Sequence, residues 1–260
     1  MALPKTIHYC WFGNGSKSGL ILRCIESWKK YAPDCEIIEW NETNYDVTKN
    51  KYMREAYEKR RWGFVSDFAR LDIIYEHGGI YLDTDVELIR PIDVLLAGDG
   101  FMGFERADSG GRYSVNTGGG FGAEAGDPVL DAMRDIYKDI SFVREEGSLN
   151  LDPSPLYNTD ALVKLGMRRD NTLQKIGKIT VYPSDYFCPV DWESHRRIIT
   201  ENTYSIHHFD ASWLTEEEKK RRRRERELDR ILHLPNRALM SLLGNERYAH
   251  LKKILKREGN

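Results

Sequence analysis

Two aspartates stand one residue apart in the stretch "GGIYLDTDVEL" at residues 78–88. Asp83 and Asp85 follow the apolar run "IYL", and residues two apart in a strand share a face, so both carboxylates are predicted to project together with Tyr81. Such carboxylates repel each other unless a cation lies between them. Oxygen ligands of this kind suit Mg²⁺ or Mn²⁺, usually together with substrate phosphates. The alternative is a solvated strand end, which an isolated Asp-x-Asp pair does not exclude.

The segment before this pair, "FVSDFARLDII", is predicted to be a helix that adds an arginine to the same region. Asp67 and Arg70 are three residues apart, and Ser66 and Arg70 are four apart, so all three face one way. An arginine beside a carboxylate can be a surface ion pair of little energetic value. Near a metal–diphosphate site it can instead bind phosphate oxygens or ribose. The residues alone leave both interpretations open.

Strands and helices alternate over the first part of the chain, which predicts an α/β fold with a mainly parallel sheet. In open sheets of this kind, ligands bind beyond the carboxyl ends of the strands. A glycine pair, Gly78 and Gly79, is expected to end the helix that precedes the aspartates. The predicted strands are 5–13, 35–41 and 80–88, and the predicted helices are 19–33, 51–61 and 62–77.

Beyond Asp93 the pattern is less regular. Strands are predicted at 100–105 and around the glycine-rich turn of "SVNTGGGFGAE", followed by a helix with Asp127 as N-cap and Pro128 in its first position. Two more candidate strands lie in "KITVYPSDYFCPV" and "TYSIHHF". The sequence from Thr215 onwards is predicted to be helical.

The composition is that of a soluble globular chain: 260 residues, of which 40% are hydrophobic and 31% are charged. The net charge of −2 hides an asymmetry, because residues 215–260 hold 14 Lys and Arg against 8 Asp and Glu, a surplus of 14 − 8 = 6. The remainder has 39 − 14 = 25 basic and 41 − 8 = 33 acidic residues, a deficit of 8. We therefore expect two domains, a catalytic or binding domain at 1–214 and a basic amphipathic helical tail at 215–260.

The tail has three possible roles. Apolar residues recur at helical spacing and are flanked by Lys and Arg, which suits a solvated helix, packing against the first domain or a second subunit, or attachment to an anionic membrane surface. The run "KKRRRRER" has no interleaved aromatic residues, so no nucleic-acid partner is expected. The start has no apolar signal core, and the four cysteines have no metal-binding spacing. A cytoplasmic location is expected, with peripheral binding to the inner face of the cell membrane under the third role.

The segment "FVSDFARLDIIYEHGGIYLDTDV" resembles the signature of the Asp-x-Asp glycosyltransferases of family 32, the capsular-polysaccharide and fungal α-mannosyltransferase relatives. It is also similar to the catalytic domain of the large clostridial glucosylating toxins. The motifs "IHYCWFG", "VNTGGGFGAE" and "SIHHFDASW" extend the resemblance, in the family's order, over most of residues 4–213.

The resemblance implies a GT-A type, Rossmann-like nucleotide-sugar-binding fold. It also implies a metal-dependent retaining transferase that uses Mn²⁺ (or Mg²⁺) and moves a hexosyl group from a nucleotide-sugar, with UDP favoured, to a saccharide or lipid-linked saccharide in surface polysaccharide synthesis. One departure puts acceptor recognition in doubt: the family commonly has Gly-Pro followed by Thr, where this chain has "LDPSPLYNTDAL". Glu105, Glu124 and Asp152 are conceivable acidic groups near the sugar, and no nucleophile is singled out.

By position, the resemblance also assigns roles to individual residues. Trp11 would stack on the nucleobase, and Tyr81 would lie near the nucleotide. Asp67 and Arg70 would hold ribose and sugar hydroxyls, with Ser66 grouped beside them.

The remaining assignments concern the metal and the reacting sugar. Asp83 would contact ribose and, through water, the metal, while Asp85 and His208 would be direct metal ligands. Asn116 would lie near the donor sugar or the acceptor, and Trp213 would close over the diphosphate. His207 and His208 alternate faces in a strand, and a structural role is expected for His207.

Two other functions fit parts of the sequence. A metal-dependent phosphohydrolase or nuclease would use the carboxylates as a metal clamp, but such sites usually have four or more ligands, and only Asp83, Asp85 and His208 have an evident claim. A non-catalytic nucleotide-sugar-binding module would keep the fold alone. The intact Asp-x-Asp pair and Arg70 favour the transferase over that module.

Overall fold

A computed structural model of the chain describes residues 2–105, 111–189 and 197–210, together with Lys220 and Arg224. The chain divides into a unit of Met1–Trp213 and a unit of Leu214–Asn260. Trp213 and, apart from Lys220 and Arg224, the predicted tail at 215–260 lie outside the described residues. Among the helices of the described residues, none combines the length and the apolarity needed to cross a membrane.

The first third of the chain alternates strand and helix as the sequence predicts. Local side chains fix the helix starts, since Ser18 accepts a hydrogen bond from the Ile21 amide and Asn50 accepts one from the Met53 amide. The elements are β1 (Thr6–Cys10), α1 (Gly19–Tyr31), β2 (Glu36–Trp40), α2 (Lys51–Glu58), α3 (Trp62–His77) and β3 (Gly79–Tyr81).

The later elements are shorter and less regular. Asp127 caps the fifth helix, with Pro128 as its first residue, as predicted. The sixth helix forms where the sequence indicated only a proline-rich turn. The elements are β4 (Val86–Leu88), α4 (Asp93–Leu96), β5 (Gly100–Glu105), β6 (Ser114–Val115), a 3-10 helix (Thr117–Gly119), β7 (Phe121–Ala123), α5 (Pro128–Asp139), α6 (Ser154–Lys164), β8 (Gln174–Ile176), β9 (Ile179–Tyr182) and β10 (Ser205–His207).

Eight strands of the described residues form one mixed sheet in the order β2-β1-β3-β7-β5-β9-β8, with β6 paired to β5. The pairs β1–β2, β1–β3 and β5–β9 are parallel, and the pairs that include β6, β7 or β8 are antiparallel. The predicted α/β fold is confirmed. Because β1 and β3 are parallel, their carboxyl ends meet at one edge of the sheet.

The predicted strand 80–88 is divided into two strands that belong to different sheets. β3 ends at Tyr81 in the large sheet, while β4 pairs antiparallel with β10 in a separate two-stranded sheet. Between them the Val86 amide donates to the Asp83 carbonyl over 3.0 Å and closes a turn. The expectation of a common strand face for Asp83 and Asp85 is therefore wrong, because both residues lie in or beside this turn.

Helix α3 is the central helix of the domain. Ten of its residues are buried, from Phe64 to Ile74, and they face in every direction around the helix axis. A helix buried on all sides cannot shift without disturbing close packing. The residues that α3 contributes to any site are therefore held firmly.

One buried polar group on α3 joins three parts of the domain. The Asp72 carboxylate accepts from Arg134 of α5 over 2.6 Å on one oxygen, and from the Tyr45 hydroxyl over 2.7 Å and Lys49 over 3.2 Å on the other. We call these four residues the Asp72 cluster.

A buried histidine connects β1 to β2 and to the end of α3. The His8 Nε2 lies 3.1 Å from the Gly78 carbonyl, and the Trp40 indole donates to its Nδ1 over 3.0 Å. Burial lowers the pKa of His8 to about 4, so the ring is neutral at pH 7.

Candidate active site

The turn after β3 lies against the glycine-rich turn before β7. The Leu82 amide donates to the His8 carbonyl over 3.1 Å, which continues the pairing with β1, and the Asp83 amide donates to the Gly118 carbonyl over 3.2 Å. Asp83 therefore stands at the edge where the parallel strands β1 and β3 end. This is the edge at which the sequence predicted a ligand site.

Arg70 is held between two carboxylates. Its Nη2 lies 3.0 Å from Asp67 Oδ1 and 3.3 Å from Asp83 Oδ1, and its Nε donates to the Ser66 carbonyl over 3.1 Å. The Tyr81 hydroxyl donates to the same Asp83 oxygen over 3.1 Å, and the Tyr81 ring lies 5.4 Å from the guanidinium carbon. The structure thus brings together the five predicted residues Ser66, Asp67, Arg70, Tyr81 and Asp83.

Ser66 takes part through its main chain. Its hydroxyl donates to the Trp62 carbonyl one turn earlier over 3.1 Å, while its own carbonyl orients Arg70.

Burial and charge act in opposite directions on these groups. Burial raises the pKa of Asp67 to about 6 against the opposing effect of Arg70. Burial also raises the pKa of Asp83, again opposed by Arg70. Burial acts to lower the pKa of Arg70, but the carboxylates of Asp83 and Asp67 raise it above its usual value. The guanidinium is therefore charged, and the carboxylates around it are costly to ionise without a further cation.

Asp85 is bound by the segment that follows β10. One of its oxygens lies 3.2 Å from His207 Nε2, and the other accepts from the Asp210 amide over 2.7 Å. Burial acts to raise the pKa of Asp85, but His207 and the Asp210 amide lower it to about 2. Burial acts to lower the pKa of His207, and the Asp85 carboxylate raises it above its usual value. The two side chains form a buried, mutually charged pair.

Ligand atoms of Asp83, Asp85 and His207 all lie within 4.8 Å of one another. His208, the predicted metal ligand, is not in this group: its Nε2 lies 2.9 Å from Glu87 and its Nδ1 lies 2.9 Å from Arg197.

The structure therefore places His207, and not the predicted His208, beside the two aspartates. The reason is the pairing of β10 with β4, which places His207 opposite Val86 and turns its ring towards Asp85. The alternation of faces in a strand separates the two histidines, but it does not reveal which of them faces the aspartates.

The 3-10 helix Thr117–Gly119 packs directly against Asp83. Asn116 begins this helix: its side-chain oxygen accepts from the backbone amides of Gly118 over 2.8 Å and Gly119 over 3.2 Å. The side-chain NH₂ group of Asn116 donates to Glu105 over 3.0 Å. A Cβ at Gly118 would overlap the Asp83 carboxylate. Position 118 therefore has no space for a side chain, which explains the glycine there.

Trp11 follows β1 at the same sheet edge, and its ring is partly buried. The indole donates to the Gly15 carbonyl over 2.8 Å, and the Lys17 ammonium lies 5.3 Å from the ring centroid. An ion pair of 2.8 Å with Glu39 holds Lys17 in place. Lys17 and Glu39 were not identified from the sequence, since neither has a motif of its own.

Known proteins match the part of the chain that contains most of this geometry. Residues 20–102 match the model of a family described as "Glycosyltransferase sugar-binding region containing DXD motif". This range includes α3, the turn with Asp83 and Asp85, and β4. The resemblance predicted from the sequence is confirmed, and it is to this family's sugar-binding region that residues 20–102 are similar.

Three individual proteins that match the chain are between 14% and 33% identical to it over the aligned part. Inositol phosphoceramide mannosyltransferase 3 of Schizosaccharomyces pombe is 33% identical over 106 residues, which is 36% of this chain and 28% of that protein. The match thus spans little more than a quarter of the relative's length. Among solved structures, the PaToxG glycosyltransferase is 20% identical with a TM-score of 0.43, covering 63% of this chain and 70% of its own. The galactosyltransferase LgtC, in complex with donor and acceptor sugar analogues, is 14% identical with a TM-score of 0.41, covering 86% and 95%.

Proposed function

We propose that the protein is a metal-dependent, retaining glycosyltransferase of GT-A type. It moves a hexosyl group from a nucleotide-sugar, with UDP favoured, to a saccharide or lipid-linked saccharide in surface polysaccharide synthesis. One observation carries the proposal: the acidic pair within the matched region, Asp83 and Asp85, lies beside His207 on one side and beside Arg70 on the other. A cation site and a rigid guanidinium stand next to each other, as a sugar diphosphate requires.

The residues present fit a divalent cation. Two carboxylates and an imidazole form a donor set that suits Mn²⁺ or Mg²⁺. The Nδ1 atom of His207 is buried and has no hydrogen-bond partner within the described part of the chain, and the imidazole would release the proton that Asp85 stabilises in order to become a ligand. Asp83, Asp85 and His207 would hold the ion, which would neutralise the donor diphosphate and the departing nucleotide.

The side chains around the acidic pair can hold the donor. The Arg70 guanidinium has a fixed orientation between Asp67 and Asp83, so it would present its N–H groups to sugar hydroxyls or phosphate oxygens at defined angles. The Trp11 ring at the end of β1 is partly exposed and has the size to stack on a nucleobase. Asn116 and Gly118 lie next to Asp83, where the donor sugar would be held.

The proposed reaction exchanges one glycosidic bond for another. The bond between the anomeric carbon and the diphosphate oxygen breaks, and the acceptor hydroxyl oxygen bonds to that carbon on the same face. The acceptor proton passes to the departing diphosphate, so no protein nucleophile is required. Arg70 and the backbone around Gly118 keep the reacting groups in place and add no covalent step.

A donor panel tests the proposal. UDP- and GDP-sugars are incubated with the protein and Mn²⁺, with and without saccharide acceptors, and nucleotide release is measured. We expect release that depends on an acceptor, that stops in chelator and that returns with Mn²⁺. Asp85→Asn should lower the rate by at least about 100-fold, and Asp135→Asn on the exposed side of α5 should not. Full activity in chelator would refute metal dependence, and equal release without acceptor would indicate a hydrolase.

We further propose that the tail at 215–260, of which the structure describes Lys220 and Arg224, binds anionic membranes and brings the enzyme to lipid-linked acceptors. Its basic surplus and its apolar residues at helical spacing support this role. The parent chain should co-sediment with vesicles of anionic lipid at low salt. Replacement of Arg221, Arg222, Arg223 and Arg224 by Gln should weaken the binding. Equal sedimentation of both proteins would contradict the proposal.

A further inference from the structure

Helix α6 directs three buried polar side chains towards the candidate site. Ser154 is 5% exposed, Asn158 is 0% exposed and Thr159 is 1% exposed. A buried polar group costs free energy unless it is hydrogen-bonded, so most helices present apolar residues to the interior. Residues four apart lie on the same side of a helix, so Ser154 and Asn158 point together, and Thr159 lies about 100° further around the helix. We therefore expect these polar side chains of α6 to have polar partners in the neighbouring segments.

Each of the three side chains contacts a different segment of the site. Ser154 lies near the Asp67 carboxylate on α3 and acts to lower the pKa of Asp67 against the effect of burial. The Asn158 amide donates to the Thr117 hydroxyl over 3.0 Å, and the Thr159 hydroxyl accepts from the Val115 amide over 2.8 Å. Val115 and Thr117 are the two neighbours of Asn116 in the chain. Helix α6 thus holds the Val115 backbone and the Thr117 side chain, on either side of the asparagine that begins the 3-10 helix.

The contact at Thr117 has a direct effect on the acidic pair. The next residue, Gly118, accepts a hydrogen bond from the Asp83 amide over 3.2 Å. A Cβ at 118 would overlap Asp83 and lie 3.1 Å from Arg70 Nη1. With so little free space, a displacement of Thr117 moves Gly118 either onto Asp83 or away from it.

Asn158 itself is incompletely satisfied. Its Oδ1 atom is buried and has no hydrogen-bond partner within the described residues. An apolar residue of similar size would remove this unsatisfied carbonyl, but it would also leave the buried Thr117 hydroxyl without the amide, so only a small net change in stability is expected. The hydrogen bond from its side-chain amide to the Thr117 hydroxyl is the evident contribution of Asn158.

We propose that Asn158 is a positioning residue of the donor site. It fixes Thr117, and through Thr117 it sets Gly118 and Asn116 against Asp83. Its effect on transfer rests on the proposed function, whereas its effect on the geometry of the 3-10 helix does not. The stretch that departs from the family's acceptor pattern thus supports the donor side of the site.

Asn158→Leu tests the proposal with two independent measurements. The Gly118 and Gly119 amides are bonded to Asn116, so release of Thr117 should speed their hydrogen exchange by at least tenfold, measured by NMR or mass spectrometry. Misplaced reacting groups should lower kcat by about 10-fold to 100-fold, with the KM for the donor changed far less. The Tm should change little, because removal of the unsatisfied carbonyl offsets the loss of the hydrogen bond to the buried Thr117 hydroxyl.

Two further variants separate positioning from stability. Thr117→Val removes the hydroxyl that accepts this hydrogen bond and should reproduce the loss in kcat. The double variant should have a kcat no lower than that of either single variant. Asn50→Leu is the matched control: Asn50 is also buried and caps α2, so its loss should lower the Tm without changing kcat or the exchange of Gly118 and Gly119.

The outcomes are distinct. Parental exchange at Gly118 and Gly119 in Asn158→Leu would overturn the positioning role. So would a loss of kcat that appears only together with a fall in Tm, as general destabilisation would produce. If the parent protein releases no nucleotide from any donor, the proposed function fails, and the exchange measurement still decides the role of Asn158.

Discussion

Helix α3 carries two buried arrangements of aspartate and arginine that differ in one respect. In the Asp72 cluster, both carboxylate oxygens have partners within 3.2 Å, and the Asp72 side chain is 2% exposed. Around Arg70, the distances to Asp67 and Asp83 are 3.0 and 3.3 Å, and the Asp83 side chain is 22% exposed. The first arrangement is closed by groups of the chain itself. The arrangement around Arg70 is open towards solvent, and its buried carboxylates outnumber its positive groups.

The difference shows how a structural ion pair can be told from a functional one. In the Asp72 cluster, Arg134 and Lys49 bring two positive charges to one buried carboxylate, and they also pair with the exposed carboxylates of Asp131 and Glu76. Within the described part of the chain, Asp67, Asp83 and Asp85 form ion pairs with Arg70 and His207, and here all three carboxylates are largely buried. Buried charges are normally balanced, so this excess of buried carboxylates supports the proposed cation.

The largest effect expected from this comparison is on stability, at the closed cluster. Asp72→Ala leaves Arg134, Lys49 and the Tyr45 hydroxyl without their common acceptor, which should cost about 3 kcal/mol of unfolding free energy. Activity per folded molecule should stay within about twofold, because no residue of the cluster reaches the candidate site. Urea unfolding and nucleotide release measured on the same preparation check both parts. A specific loss of activity at unchanged stability would show that the two arrangements are not distinct.

Arg70→Lys tests the open arrangement. A lysine keeps the charge but cannot reproduce the planar group that contacts Asp67, Asp83 and the Ser66 carbonyl together. We expect nucleotide release to fall between about 10-fold and 100-fold, with a smaller loss of unfolding free energy than at Asp72. Calorimetric titration with UDP and Mn²⁺ measures the binding part of the effect. Parental affinity and parental rate would remove Arg70 from the donor site.

His8 gives the smallest effect, and it depends on pH. Its pKa is about 4 in the folded chain and near 6.5 when unfolded, so the unfolded chain binds the proton first as pH falls. The stability that neutral His8 provides is present above pH 6.5 and is lost progressively between pH 6.5 and 4. Between pH 7 and 5 the loss should be about 2 kcal/mol.

The check is the pH dependence of urea unfolding for the parent and for His8→Gln. Glutamine does not titrate, so the parent curve should be the steeper of the two below pH 6.5. Parallel curves would show that His8 is not the group responsible.

The amino-acid sequence predicted the first half of the site well because the information there is local. Helix spacing placed Ser66, Asp67 and Arg70 on one side of α3, and the structure brings them to Tyr81 and Asp83. The sequence also predicted that Asp83 and Asp85 lie close together, although for a different reason. They meet in a turn and not on a strand face, because β3 and β4 join different sheets.

The other half depends on contacts between distant parts of the chain. His207 faces Asp85 because β10 pairs with β4, and a strand of three residues contains no pattern that reveals its partner. Likewise, α6 begins at a proline-rich stretch, and its polar side has meaning only beside Asp67 and Thr117. The patterns that indicate helices and strands do not specify such pairings.

The pairing of β10 with β4 also sets the order in which the protein can become active during its synthesis. The segment that binds Asp85 through the Asp210 amide is 125 residues further along the chain. After the turn with Asp83 and Asp85 has left the ribosome, most of the domain must still be translated before His207 can contact Asp85. At roughly 5–20 residues per second, this interval lasts several seconds to half a minute. The nascent chain already displays Asp83 and Asp85 during that time, but the histidine that completes the cluster arrives among the last residues of the domain.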